Sequence, residues 1–489
     1  MDRRHFIKLA GITGITGINS LRCSKAEAVN NTTAGKPNII FILADDAGYG
    51  DISCYGQKKF KTANIDRLAD EGMKFTQHYA GSSVCAPSRS CLMTGLHTGH
   101  SFIRNNTRTV NPVGNAALPY ETTTVADLLK KAGYTNGIIG KWGLGGPGST
   151  GTPGNHGFDY FYGFLDQLHA HSYYPEYVWR NDKKVTFEDN NPDEQKGQYV
   201  HDLFTEEALG FVKKNQKNPF FLYLAYTIPH SDLDVPQDSM EPFLDKFSEP
   251  KPYKGGRYHP QKHPRAAFAG MMHRMDRDIG RLMDMLKDLN IDNNTLVIFA
   301  GDNGSCFSGG NDPEFFDSNG PLRGIKQDMY EGGIRVPMIA RWPGKIKPAS
   351  VTDHISAFWD FLPTAAQIAG VQNQANIDGI SFLPTLVGKA NDQKTHEYLY
   401  WEFSSLGGRQ AIRMGKWKAV RPKIAAEKPG DLPELYDLDK DVEEKNNIAD
   451  LNPDITAKIQ TLFKQARTLS EQFPLPVEKQ EISFQGLGN

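Results

Sequence analysis

The chain reads as an α/β protein: a large central, mostly parallel sheet sandwiched by helices, then a smaller C-terminal antiparallel sheet with a helix. Three observations predict it. Four apolar runs with the look of buried strands are spread along the first three hundred residues, and each ends in polar residues. Segments with helical spacing of apolar residues lie between them. After about Val371 the pattern changes to short, aromatic-rich stretches.

The first strand covers 37–44 and runs into Asp45-Asp46-Ala47-Gly48-Tyr49-Gly50-Asp51. The second covers 135–139 and ends at Gly140-Lys141-Trp142. The third, 220–226, leads to Pro229-His230, and the fourth, 295–300, to Gly301-Asp302-Asn303-Gly304. Between them, 125–132 reads as a helix that a preceding threonine run can cap and Gly133 can stop. A methionine-rich stripe over 268–289 keeps helical spacing and reads as core. A further helix is expected over 358–369, stopped by Gly370. Segments at 397–403, 410–413, 416–420 and 435–438 then form the small antiparallel sheet, and 455–469 the closing helix.

Any one polar strand end reads as a turn or a helix cap. Four together point to a shared site, because open α/β sheets bind ligands outside the carboxyl ends of their strands. Asp45, Asp46, Asp302 and Asn303 offer only oxygen ligands, which select hard cations, Ca²⁺ or Mg²⁺, over zinc. An Asp pair at a turn with no metal is the alternative. Cys85 stands just before Pro87, a favoured first-turn residue, so a helix starting there would aim its N–H groups and dipole at the sulfur. A plain thiolate nucleophile and a buried structural cysteine are the other readings of Cys85.

Composition excludes some classes. With 55 Lys plus Arg against 57 Asp plus Glu among 489 residues, no basic excess points to nucleic acid. No apolar run approaches the length of a membrane span. Five cysteines, Cys23, Cys54, Cys85, Cys91 and Cys306, show no paired zinc spacing, and Cys54, Cys91 and Cys306 read as buried thiols. Arg3-Arg4-His5-Phe6-Ile7-Lys8 and the mild apolar run after it resemble a twin-arginine export leader over 1–28. A spacer over 29–36 follows, then a catalytic domain over 37–371 and a C-terminal α+β subdomain over 372–489. The expected location is outside the cytoplasm of a bacterium: periplasmic, cell-surface or secreted.

Cys85-Ala86-Pro87-Ser88-Arg89 is followed by Leu92-Met93-Thr94-Gly95. With the Asp45–Asp51 segment, Gly140-Lys141-Trp142, Pro229-His230, Asp302-Asn303-Gly304 and the stretch from Leu322-Arg323-Gly324-Ile325-Lys326 to Pro337, it resembles the motifs of type I formylglycine-dependent sulfatases in order. These belong to the alkaline phosphatase superfamily, and Gly143, with Gly157-Phe158-Asp159-Tyr160-Phe161-Tyr162-Gly163 and the His-Tyr loop after it, looks like its bacterial carbohydrate sulfatase branch. The resemblance implies that a formylglycine-generating maturation enzyme oxidises Cys85 to an aldehyde whose hydrate attacks sulfur. It implies that Asp45, Asp46, Asp302, Asn303 and the modified Cys85 hold Ca²⁺, and that Arg89 supports the hydrate. Lys141 and Lys326 would neutralise the sulfate oxygens, and His230 would protonate the departing sugar oxygen. The implied substrate is a sulfated saccharide, leaning to galactose or N-acetylgalactosamine sulfated at O4.

One position departs from the family. Many sulfatases read Gly-Lys-Trp-His-Leu-Gly where this chain has Gly140-Lys141-Trp142-Gly143-Leu144-Gly145. His169 and His171 are candidates to fill that gap, and with Arg323 they are the candidate substrate-binding residues. Trp401, Glu402 and Arg409 could shape a sugar pocket, with Trp401 reading rather as core. The alternatives are a formylglycine-dependent phosphonate or phosphodiester hydrolase, and a catalytically inactive sugar-binding relative.

Overall fold

A computed structural model describes residues 35–106, 108–110, 113–373 and 376–476. The expected leader over 1–28, Cys23 and most of the spacer lie outside the described residues. In chain order the main strands begin with β1 (Asn38–Ala44), β2 (Met73–Phe75), β3 (Thr135–Lys141), β4 (Tyr160–Phe164) and β5 (Tyr177–Arg180). They continue with β6 (Lys183–Thr186), β7 (Phe220–Ala225), β8 (Thr295–Gly301), β9 (Met338–Arg341) and β10 (Ser350–Thr352). These ten form one sheet in the order β10-β2-β9-β8-β1-β7-β3-β4-β5-β6. The central five, β8-β1-β7-β3-β4, are parallel neighbours, and antiparallel pairs begin at β9 on one side and β5 on the other.

The longer helices are α1 (Ala63–Asp70), α2 (Cys85–Thr94), α3 (Val125–Lys131), α4 (Val200–Asn215), α5 (Pro264–Asp288), α6 (Phe361–Ala369) and α7 (Pro453–Gln465). They cover both faces of the sheet, which is why β1 is apolar at every position from Ile39 to Ala44. Ile40 and Ile42 of β1 share a core with Phe204 and Ala208 of α4 and Met271, Met275 and Met283 of α5. Ile39, Phe41 and Leu43 face the other way, toward Leu92 of α2, Leu128 of α3 and Phe361 and Leu362 of α6. The methionine stripe is therefore core. Among the described residues no helix is long and apolar enough to cross a membrane.

Element ends differ modestly from expectation. α5 begins earlier, at Pro264, and α7 begins at Pro453; each proline sits in the first helical turn, where its missing N–H costs nothing. The helix expected over 358–369 opens with a 3₁₀ turn at Phe358–Asp360 before α6. Thr124 caps α3 with its hydroxyl accepting from Asp127 N.

The C-terminal sheet is β11 (Leu399–Phe403), β12 (Arg409–Met414), β13 (Trp417–Arg421) and β14 (Glu434–Asp437), antiparallel throughout and in chain order. One face, with Tyr400, Ile412 and Leu435, packs on Ile459 and Phe463 of α7. The other, with Trp401, Ala411 and Val420, packs on Tyr79, Val84 and Cys91 at the back of α2. The sheet thus braces the helix that begins with Cys85.

Candidate active site

The parallel register sets the site. Ala44 of β1 pairs with Gly301 of β8, so Asp45-Asp46 and Asp302-Asn303 leave the sheet side by side. Asp302 N donates to Ala44 O (3.0 Å), and Asp46 N donates to Asp302 Oδ1 (3.0 Å). Lys141, the last residue of β3, donates from Nζ to Asp45 Oδ2 at 2.6 Å. α2 starts at Cys85 itself, two residues before Pro87, and ends at Gly95 in the left-handed conformation. Its Arg89 is wholly buried; Nη2 donates to Asp302 Oδ2 (2.9 Å) and Nη1 to Lys141 O (2.7 Å).

Cys85 Sγ donates to Asp45 Oδ1 (3.3 Å) and faces Lys326 Nζ at 3.3 Å. Lys326 Nζ also reaches both Asp46 oxygens, at 2.6 and 2.8 Å. His230 Nδ1 donates to Ser231 O, which leaves Nε2 facing Asp46 Oδ2 at 3.4 Å. These groups meet at one end of a pocket of about 470 Å³, lined among others by Cys85, His171, His230, Tyr258, Cys306 and Lys326. The predicted nucleophile, lysines, histidine and acidic cluster are thus brought together.

The electrostatics are those of a tightly balanced site. Burial pushes the Asp45 carboxyl up, but Lys141, His230, Arg89 and Lys326 outweigh it and hold Asp45 well below the usual carboxylate range. Burial, and then Asp45 beside it, pushes Asp302 up to about 7 despite Arg89. Burial lowers His230 to about 4. Burial and then Asp45 push the Cys85 thiol far up, so it stays protonated at neutral pH, which argues against direct thiolate attack.

The residues fit a divalent cation. Asp45, Asp46, Cys85 and His230 present ligand atoms all within 4.8 Å of one another. Asn303 Nδ2 donates to Asp46 Oδ1 (2.7 Å), while its Oδ1 is buried with no hydrogen-bond partner among the described residues. An orphaned acceptor beside three carboxylates suits a hard cation. Asp45, Asp46 and Asp302 are offset in formal charge by Arg89, Lys141 and Lys326, so a bound divalent ion would leave the site net positive and receptive to an anion.

Two of the three candidate substrate-binding residues are not brought to the pocket. His169 and His171 share one 3₁₀ turn, His169–His171, and residues two apart in such a turn diverge. His171 stacks on His230 with ring centroids 4.7 Å apart, whereas His169 packs between Phe164 and Tyr177. Arg323 also turns away: Nη1 donates to Tyr436 Oη (3.1 Å) and Glu444 O (2.7 Å), and its guanidinium lies over Tyr330. It ties the loop carrying Lys326 to the C-terminal sheet. Trp401 and Glu402 are buried away from the pocket, and Arg409 pairs with Asp328.

Other residues were missed. Cys306 is buried as expected but belongs to the site: Sγ donates to Asp46 Oδ2 (3.1 Å) and lines the pocket, while Cys54 is only half-buried. Gln167 occupies the space over Gly143: a Cβ built there would lie 2.0 Å from Gln167 Nε2. Nothing local to Gln167 signals the contact. Asn115 Oδ1 accepts from Gln167 N (2.7 Å) and fixes that residue in place.

The family model described as Sulfatase matches residues 37–371. The chain belongs to the sulfatase family. A second model, N-sulphoglucosamine sulphohydrolase, C-terminal, matches residues 325–472. An N-acetylgalactosamine-6-O-sulfatase of Bacteroides thetaiotaomicron is 31% identical, covering 94% of this chain and 98% of that one. Human arylsulfatase A is 30% identical over 92% of this chain and 91% of its own. The crystal structure of Ps i-CgsB superposes with a TM-score of 0.76 at 30% identity, covering 93% of this chain and 98% of that one. This sulfatase is accordingly a sulfuric ester hydrolase, built on the family's fold of a mostly parallel sheet with a separate four-stranded one.

Proposed function

We propose that this sulfatase removes a sulfate ester from a galactose- or N-acetylgalactosamine-type sugar of a glycan, using a formylglycine made from Cys85 and a Ca²⁺ ion. One observation carries the reading most. The Cys85 side chain is the first of α2, buried on the pocket wall, between an acidic cluster and Lys326. A relative covering nearly the whole chain is named for the 6-sulfate of N-acetylgalactosamine, which favours O6 over the O4 lean of the motif resemblance. Action outside the cytoplasm is inferred from the leader-like sequence over 1–28.

Asp45, Asp46, Asp302 and Asn303 would hold the Ca²⁺, which supplies positive charge against the sulfate oxygens when bound. Conversion of Cys85 supplies a hydrate whose two hydroxyls allow attack and later release of sulfate. The chain's own side chains do the rest. Lys141 and Lys326 place two ammonium groups at the carboxylate cluster, where they meet the ester's negative charge in a buried setting. Arg89, locked on Asp302 and Lys141 O, holds those groups in register. A sugar alkoxide leaves poorly unless it is protonated. His230 offers Nε2 toward the site, because Nδ1 is committed to Ser231 O. The ring is neutral in the free site, and the charge of a bound sulfate favours its protonated form.

The test is sulfate release from a panel of 4-O- and 6-O-sulfated galactose and N-acetylgalactosamine saccharides, with mass spectrometry of the Cys85 peptide. The reading expects turnover of 6-sulfated sugars and a formylglycine mass at Cys85. Preference for phosphodiesters over all sulfate esters, or no turnover with Cys85 fully converted, would defeat it.

A further inference from the structure

Gln167 lies on the pocket wall and is only 9% exposed, yet its Nε2 has no hydrogen-bond partner among the described residues. Buried amide donors are rarely left so without a reason. The backbone that carries this side chain is fixed beside Gly143. Gln167 N donates to Asn115 Oδ1 (2.7 Å), and two residues earlier Leu165 O accepts from Gly143 N (3.0 Å). Gly143 has φ +77°, and any side chain there would collide with the Gln167 amide. Glycine is thus required at 143 for conformation and for room alike. It stands two residues beyond Lys141, whose ammonium belongs to the catalytic cluster.

We propose that the Gln167 carboxamide is a substrate-binding group, which donates a hydrogen bond to an oxygen of the bound sulfate ester beside Lys141. This rests on the sulfatase reading. A neutral donor suits the position, because three cations already balance the three carboxylates and a fourth charge would not improve orientation. Nε2 lies against Gly143, and rotation of the carboxamide about its last bond turns it to the bound ester, which supplies the acceptor that the protein withholds from this amide. Gly143 then acts through Gln167 as a positioning residue.

The test uses the Ca²⁺-loaded protein with Cys85 conversion checked by mass spectrometry. Gln167→Leu should lower kcat/KM about tenfold or more on both 4-methylumbelliferyl sulfate and 6-sulfated N-acetylgalactosamine. Gln167→Glu should lower it further, because a carboxylate repels the sulfate. Gly143→Ala should reproduce the Gln167→Leu loss by displacing the amide. Thermal stabilisation by inorganic sulfate gives a readout that needs no turnover: present in the wild type, weakened in Gln167→Leu and Gln167→Glu. Unchanged kinetics in Gln167→Leu, a loss confined to the sugar substrate, or Gln167→Glu outperforming Gln167→Leu would overturn the proposal. If the wild type hydrolyses no sulfate ester, the sulfatase reading fails, while the sulfate-induced shift still decides the role of Gln167.

Discussion

Two buried charge clusters in this molecule are built alike and differ in what surrounds them. At the strand ends, Asp45, Asp46 and Asp302 face Arg89, Lys141 and Lys326. Behind the C-terminal sheet, Glu331 and Glu444 face Lys418, with Arg413 and Arg335 close by. Each cluster even contains a carboxyl that burial pushes up to about 7, Asp302 in one and Glu444 in the other. The second cluster is bonded inward. Lys418 Nζ donates to Glu331 Oε1 (2.8 Å), Tyr79 Oη to Glu331 Oε2 (2.6 Å), and Glu331 N to Glu444 Oε2 (2.7 Å). The first opens on a pocket, adjoins the start of a helix and leaves Asn303 Oδ1 without a partner among the described residues. A shifted carboxyl therefore does not mark function here; access and an unmet bond do.

Single substitutions should separate the two clusters most sharply. Lys326→Ala should cut kcat/KM at least about 10³-fold on every sulfate ester, since it removes a preorganised charge at the reacting group. Glu331→Gln should instead cost about 3–5 kcal/mol of stability by leaving Lys418 without its closest countercharge, with kcat of the folded enzyme within about twofold of wild type. Denaturant unfolding alongside kinetics checks both, and a reversed pattern would break the comparison.

His230→Ala should lower turnover of sugar sulfates by about 10²–10⁴-fold but that of aryl sulfates far less, because a phenolate leaves without an acid. For the same reason, kcat/KM on sugar sulfates should fall as pH rises, since His230 holds its acid proton only on the acid side of its pKa. Aryl sulfates should show a flatter profile. Equal losses on both substrate classes would remove His230 as the acid.

Calcium should discriminate the clusters by pH. Asp302 has its folded pKa raised to about 7 from 3.8, so its contribution to stability is complete below about 4 and is lost as pH rises through 7. A cation at the site offsets that loss. Saturating Ca²⁺ at about a hundredfold above Kd should raise Tm by about 3 °C near neutrality and by less at pH 5. A shift that grew toward acid pH would place the ion elsewhere. The smallest effect belongs to Arg323→Ala, which should cost about 1 kcal/mol through its bonds to the C-terminal sheet and leave KM unchanged.

Four of the five parallel strands were legible because burial on both faces leaves little but apolar residues, and their polar ends located Asp45, Lys141, His230 and Asp302 in advance. The four C-terminal strands were legible from the change to short stretches, most of them rich in aromatic residues. β4 to β6 were not, because they are short and Gly163 interrupts the apolar run. Helix α4 was hidden by a polar first turn and lacks a side-chain cap. In the site, contacts among the motifs could be read, but contacts from residues outside them could not. Cys306 reaches Asp46 from 260 positions away, and Gln167 reaches Gly143 from beyond β4. His169 misled because sequence shows two histidines and not the direction in which a 3₁₀ turn sends each one.

The central claim is that sulfate release depends on Cys85 in its converted form at the open cluster. The most direct test measures the rate of sulfate release across preparations in which the converted fraction of Cys85, read by mass spectrometry, is varied. The account predicts a rate proportional to that fraction, and none for a folded Cys85→Ala variant. Full turnover with Cys85 unconverted, or activity retained in Cys85→Ala, would contradict it.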